Sequence, residues 1–116
     1  MKVRFQADAD LNQFILIATV RCEPSIDFQG ALAAGLAGLS DRDVLAKAAG
    51  EERLLLTHDQ KTMPRHFSDF ISSVTSPGLI IIPQHLPIAS VVEDLVLIWL
   101  VTEAGEWESR ICFLPL

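Results

Sequence analysis

Leu54-Leu55-Leu56-Thr57-His58-Asp59 is the stretch that decides how this chain folds. Three leucines in a row, with no polar residue for either face, describe a strand buried on both sides, as in the middle of a parallel sheet. The run then stops at a hydroxyl, an imidazole and a carboxylate, so polar groups begin where the strand ends. Working outward, the pattern recurs. Val3, Phe5 and Ala7 alternate with polar residues as a first strand that ends at Asp8. Ser76-Pro77-Gly78 is a turn into a second buried strand, Leu79 to Ile82. Ser25-Ile26-Asp27-Phe28 is a short candidate strand, and Arg110 to Leu114 closes the chain as the last one.

Helical spacing fills the intervals. Leu11, Phe14, Ile15 and Ala18 lie on one face, with Asp8 or Asp10 placed to cap that helix and Pro24 to stop it. Ser40-Asp41-Arg42-Asp43 opens a helix through Val44, Leu45 and Ala48 that stops near Gly50. Thr62-Met63-Pro64 reads as an N-cap followed by proline in the first turn, with Phe67, Phe70 and Ile71 as the apolar face. Ile88 to Glu103 is the longest helix, burying Val91, Val92, Leu95, Ile98 and Trp99. Gln29 to Leu39 is expected to be mostly irregular, because its glycines would each cost about 1 kcal/mol relative to alanine inside a helix. Strand and helix alternate throughout. The pattern predicts an α/β protein: one domain over residues 1–116, a three-layer α/β/α sandwich with a mostly parallel central sheet.

Half of the 116 residues are apolar, enough for a substantial core. Val91 to Val101 is interrupted by Glu93-Asp94, and Ile15 to Val20 is far short of the roughly 20 apolar residues that span a bilayer. No membrane segment or signal peptide is expected, and the expected location is cytoplasmic. Cys22 and Cys112 lack C-x-x-C spacing, and Cys112 is expected to act as a buried small hydrophobe. A net charge of −6 argues against a broad basic face for nucleic acid. It is compatible with a metal-dependent nuclease, because part of that charge would be the metal site, and a basic partner could supply phosphate contacts.

Asp8, Asp10, Asp41, Asp43 and Asp59 are the candidate chemistry. Ligands of open α/β sheets bind beyond the carboxyl ends of the strands. Asp8 and Asp59 each follow a strand closely there, and Asp41 and Asp43 open a helix. Carboxylates that close repel unless a cation lies between them, and a hard divalent ion with oxygen ligands is the usual solution. Each acid also has a structural reading. Aspartate is common at strand-to-helix turns, and Ser40-x-x-Asp43 resembles a capping box, with Asp43 the better cap. Asp41 is stabilised by the helix dipole wherever it points, and Asp10 either enters the crevice or caps the first helix. Asp27 is expected to be solvated. Lys61 and Arg65 either meet a phosphate or are ordinary surface charges, and His58, His66 and His85 are expected to be hydrogen-bonded turn residues. There is no phosphate-cradling glycine loop and no Gly-x-Ser-x-Gly elbow, and Cys22 has no evident catalytic partner.

Phe5-Gln6-Ala7-Asp8-Ala9-Asp10, Ser40-Asp41-Arg42-Asp43-Val44-Leu45 and Arg53-Leu54-Leu55-Leu56-Thr57-His58-Asp59, in that order, resemble the short bacterial PIN-like proteins, relatives of the PIN ribonuclease toxins. The resemblance covers essentially the whole chain. It implies a nuclease fold, RNA as substrate and Mg²⁺ or Mn²⁺ as cofactor. Asp8, Asp41 and Asp59 would be the metal-binding acids, and Asp10 or Asp43 would orient the attacking water. It also implies a small antitoxin-like partner. Two positions depart from the family pattern. Lys61 stands where many relatives carry a second acid, and Asp8-Ala9-Asp10 replaces Asp-Glu-Asn. The first departure would reduce the site to one metal or abolish cleavage.

Three rival readings follow from the same residues. A PIN-like binding module with a degraded site suits Lys61 and the acidic charge, and the apolar tail Phe113-Leu114-Pro115-Leu116 would serve a homodimer or partner interface, or finish the core. A receiver-like phosphoacceptor fits Asp8, Asp10 and Asp59 but lacks a lysine after the last strand. A phosphatase built on Asp8-Ala9-Asp10 lacks the hydroxyl residue expected at Asn12.

Overall fold

The computed structural model describes residues 1–116. Leu54–Thr57 (β3) sits at the centre of a five-stranded sheet, flanked by Phe5–Ala7 (β1) and Leu79–Ile81 (β4). Phe28–Gln29 (β2) and Ile111–Phe113 (β5) form the edges. The order is β2-β1-β3-β4-β5 with every pair parallel. Side chains of a strand alternate between faces, and the triple leucine divides accordingly. Leu54 and Leu56 join Phe5, Ala7, Ile80 and Ile82 in one core, while Leu55 joins Leu79 and Ile81 in the other. The first core contains Ile15 of α1 (Gln13–Cys22) and Leu95 of α5 (Ile88–Val101). The second contains Leu45 of α3 (Asp41–Gly50) and Phe67 of α4 (Met63–Ile71). The α/β three-layer expectation therefore holds, with a sheet that is wholly parallel.

Gln29–Leu39 contains one short helix, α2 (Ala31–Ala34). Gly35 ends it in the left-handed conformation at φ 69°, which a residue with a Cβ adopts only at a cost. The cap of α1 differs from the expectation. Asn12, not Asp8 or Asp10, occupies the N-cap, and its Oδ1 accepts the Phe14 N–H at 3.0 Å. The two aspartates are thus left over from capping. Ser40 caps α3 by accepting the Asp43 N–H at 3.2 Å. Thr62 occupies the cap position of α4 without a capping bond, because its hydroxyl turns toward carboxylates.

At the opposite end of the sheet Arg53 is buried. It donates to the Phe5 carbonyl at 3.1 Å and to Asp27 at 2.8 Å. Asp27 is therefore not simply solvated. The bond from Arg53 holds its carboxyl below the ordinary aspartate value, with Arg4 adding to the effect and partial burial opposing it. Cys112 is half-buried, and desolvation with Asp94 nearby pushes its thiol up. In the tail Leu114 completes the core, while Phe113 and Leu116 stay exposed. No helix is long and apolar enough to cross a membrane.

Candidate functional site

In this strand order the direction of winding reverses between β1 and β3, and the crevice beyond their carboxyl ends is where doubly wound sheets bind ligands. The chain leaves β1 into Asp8 and β3 into His58-Asp59 at that point. Thr57, the last residue of β3, is fully buried, and its hydroxyl lies 2.8 Å from Asp8 Oδ2 and 3.3 Å from Asp10 Oδ1. The two carboxylate oxygens are therefore within about 6 Å of each other, close enough for like charges to disfavour ionisation. One hydroxyl proton serves both acids. The same oxygen accepts the Asp59 N–H at 3.1 Å, which ties the two strand ends together.

A second threonine repeats the arrangement. The Thr62 hydroxyl donates to Asp59 Oδ2 and lies 3.4 Å from Asp41 Oδ2. Asp41 is also 3.6 Å from His66 Nε2 on the next turn of α4. The structure thus links Asp8, Asp10, Asp41 and Asp59 through two hydroxyls. Asp43 does not join them, for its side chain is exposed on the first turn of α3.

The four linked acids differ in environment. Asp8 is only 8% exposed. Burial pushes its carboxyl above the ordinary value, the Thr57 hydroxyl and Ala9 N–H pull it back, and Asp10 and Asp41 push it up again. No lysine or arginine pairs with it: the ion pairs of the arginines and the N-terminus lie on Glu103, Asp27 and Glu51, and the His66 ring lies near Asp41 instead. Asp59 is held the other way. Partial burial raises its carboxyl, but the Thr62 hydroxyl and the N–H groups of Thr62, Lys61 and Met63 outweigh that and leave it below the ordinary value. Asp59 therefore organises the start of α4 with both oxygens.

His58 behaves as a turn residue, as expected. Its Nδ1 is 2.7 Å from the Ile82 carbonyl and its Nε2 accepts the Asn12 N–H at 3.1 Å, so both ring nitrogens are engaged in one bridge. This bridge fixes the β1–α1 loop, and Asp10 with it, against the ends of β3 and β4. Lys61, Arg65 and Arg42 are exposed and unpaired on the α3–α4 side. Thr57, Thr62 and His58 are the site residues that the acid pattern alone misses. The only sequence signal for them is polar residues immediately beyond an apolar run.

No three His, Cys, Asp or Glu side chains stand ready as a closed metal cage. The donor chemistry nevertheless fits a hard cation: carboxylate oxygens, a buried acid without a cationic partner, and an exposed second acid beside it. Mg²⁺ usually keeps several waters and takes only one or two protein carboxylates, so it needs no such cage. No protein-family model matches the chain, and neither a curated protein nor a solved structure matches it.

Thr57→Val tests the network directly. The exchange keeps volume but leaves Asp8 Oδ2 without its donor and the Asp59 N–H without its acceptor. Leaving buried groups unpaired costs about 1–3 kcal/mol each, so the urea midpoint should fall clearly. An unchanged midpoint would mean that the hydroxyl does not hold the acids.

Proposed function

We propose that the crevice between β1 and β3 is a divalent-cation site and that the protein is a PIN-like, metal-dependent ribonuclease. The observation that carries the reading is Asp8, buried beside Asp10 and Asp41 with no positive side chain to neutralise it. A buried carboxylate without a counter-charge is costly, and an acid perturbed by burial and like charges in a cleft is a functional-site candidate. Asp8 and Asp10 would hold Mg²⁺ or Mn²⁺ with Asp41 on the opposite wall, while Asp59 shapes the wall through α4. The chemistry such an ion supplies is Lewis acidity toward a phosphoryl oxygen and a lowered pKa for water. In the hydrolysis a water oxygen bonds to phosphorus as one P–O ester bond breaks. Asp10, exposed and sharing only a hydroxyl with Asp8, would take the water's proton on the oxygen it does not give the cation, and the leaving oxygen would draw its proton from solvent. RNA as substrate, and a small antitoxin-like partner, rest on the resemblance of the three motifs.

One observation favours a binding role instead: both Asp59 oxygens are occupied by their own loop, and Lys61 replaces an acid beside them. The receiver-like reading has less support. Its acceptor would be that same committed Asp59, and the residue directly after β5 is Leu114 rather than a lysine. The deciding experiment incubates a mixed, labelled RNA pool with the protein and Mn²⁺. Cleavage that EDTA abolishes is the expected result. Intact RNA beside folded protein that binds Mn²⁺ would replace the nuclease with the binding module.

A further inference from the structure

Beside Asp10, on the side away from α3 and α4, a cleft of about 310 Å³ opens between α1, the end of β3 and the loop into α5. Ile15, Ile82 and Val91 close its floor but are almost fully covered. Its apolar surface comes from the partly exposed Pro83, Leu86 and Ile88, while the polar groups of Asp10, Asn12, His58 and Gln84 make up most of the rest. The loop that walls it, Pro83-Gln84-His85-Leu86-Pro87, is stiffened by a proline at each end, and the Leu86 N–H bonds back to the Pro83 carbonyl at 3.3 Å. Proline fixes φ, so this wall is largely formed before any ligand arrives.

Three features define what the cleft accepts. Its volume matches the lower end of small-ligand pockets, enough for one nucleoside and too small for stacked base pairs. It holds the carboxylate of Asp10 and no lysine or arginine, so it excludes a phosphate and admits a neutral group. Besides Asp10, and the His58 ring whose two nitrogens are already bonded, its polar groups are the amides of Asn12 and Gln84, set beside Pro83, Leu86 and Ile88. Asn12 commits only its carbonyl oxygen, to the Phe14 N–H, and Gln84 is exposed with both ends of its amide available. Amides above apolar walls suit the edge and faces of a heterocyclic base. The unpaired cations Arg42, Lys61 and Arg65 lie on the other side of the acids, where a phosphate backbone would be attracted.

Building on the proposed phosphodiester chemistry, we infer that this cleft takes one unstacked base of a single-stranded nucleic acid, next to the bond presented to Asp8 and Asp10. Single-stranded RNA is commonly read by bases splayed out in this way, and a duplex cannot deliver one without unpairing.

The test measures binding rather than cleavage. Short fluorescent single-stranded RNA homopolymers, the same sequences as DNA, and an RNA duplex are titrated with wild-type protein in Ca²⁺, with Mn²⁺ binding followed separately by calorimetry. Single strands of either sugar should bind, and the duplex at least about tenfold more weakly. Ile88→Trp fills the cleft from the first turn of α5, and Gln84→Ala removes an exposed amide without touching the core. Ile88→Trp should weaken single-strand binding about tenfold, and Gln84→Ala should flatten the preference among homopolymers. Mn²⁺ affinity should be unchanged in both. Unaltered single-strand affinity and base preference in both variants, with Mn²⁺ still bound, would overturn the cleft assignment alone. No Mn²⁺ binding by the wild type would overturn the underlying site instead.

Discussion

Asp8→Asn is expected to abolish Mn²⁺-dependent cleavage and, in the same molecule, to raise the melting temperature of the metal-free protein. The two effects share one cause. Asp8 is buried among acids, and its carboxyl is held above the ordinary value first by burial, with Asp10 and Asp41 adding to it against the Thr57 and Ala9 hydrogen bonds. Asparagine keeps those bonds without the charge. Its Oδ1 can accept the Ala9 N–H, and its NH₂ can donate to Thr57 Oγ1, whose proton then goes to Asp10. Activity should fall at least about a hundredfold, since even outer partners of metal ligands cost about 10–100-fold when lost.

The pH dependence follows from the direction of the shift. Below the ordinary aspartate value the group is neutral in both folded and unfolded chains and carries no penalty. As pH rises, the unfolded chain ionises first, so stability is lost progressively until pH passes the raised folded value. Asp8→Asn removes that loss. Its advantage over wild type in EDTA should therefore be absent in acid, grow toward neutrality and then level off. Thermal scans across pH check this. A variant less stable than wild type at neutral pH would make Asp8 a structural acid, and retained cleavage would remove it from the site.

Gly78→Ala should destabilise the fold by about 3 kcal/mol, from a backbone penalty of roughly 1–3 and a similar one for overpacking. Gly78 sits at φ 115°, where side chains are strained, and an added Cβ would stand 2.6 Å from the Trp107 carbonyl oxygen and 2.8 Å from Leu54 Cδ1. The turn cannot swing aside freely. The Gly78 N–H bonds Ser76 Oγ at 3.0 Å, and its carbonyl accepts the Leu55 N–H at 3.2 Å. Gly78 lies at the start of β4, at the end of the sheet away from the acids, so Mn²⁺ affinity should survive in whatever fraction remains folded. A large fall in urea midpoint with an unchanged denaturant slope is the expected readout. A loss below about 1 kcal/mol would mean that the Trp107 segment gives way.

The four-residue Leu54–Thr57 run, the alternation around Phe5 and the long α5 pattern made the layers legible, because burial on two faces leaves no room for polar residues and period alone separates strand from helix. The identity of the five acids was equally plain. Their separate roles were not. Asn12, rather than Asp8 or Asp10, caps α1, and nothing local distinguishes the three, since all are good cap residues. Asp27 looked like surface charge until Arg53, twenty-six positions later, reached it across the end of the sheet. By itself, then, the sequence determined a parallel α/β sandwich with carboxylates at the carboxyl ends of its strands. Which acids meet, through Thr57 and Thr62, was decided only by the tertiary structure. Hydrogen bonds a few ångströms long between residues more than twenty or forty positions apart depend on the register of β1 against β3 and of α3 against α4, and no local pattern encodes that register.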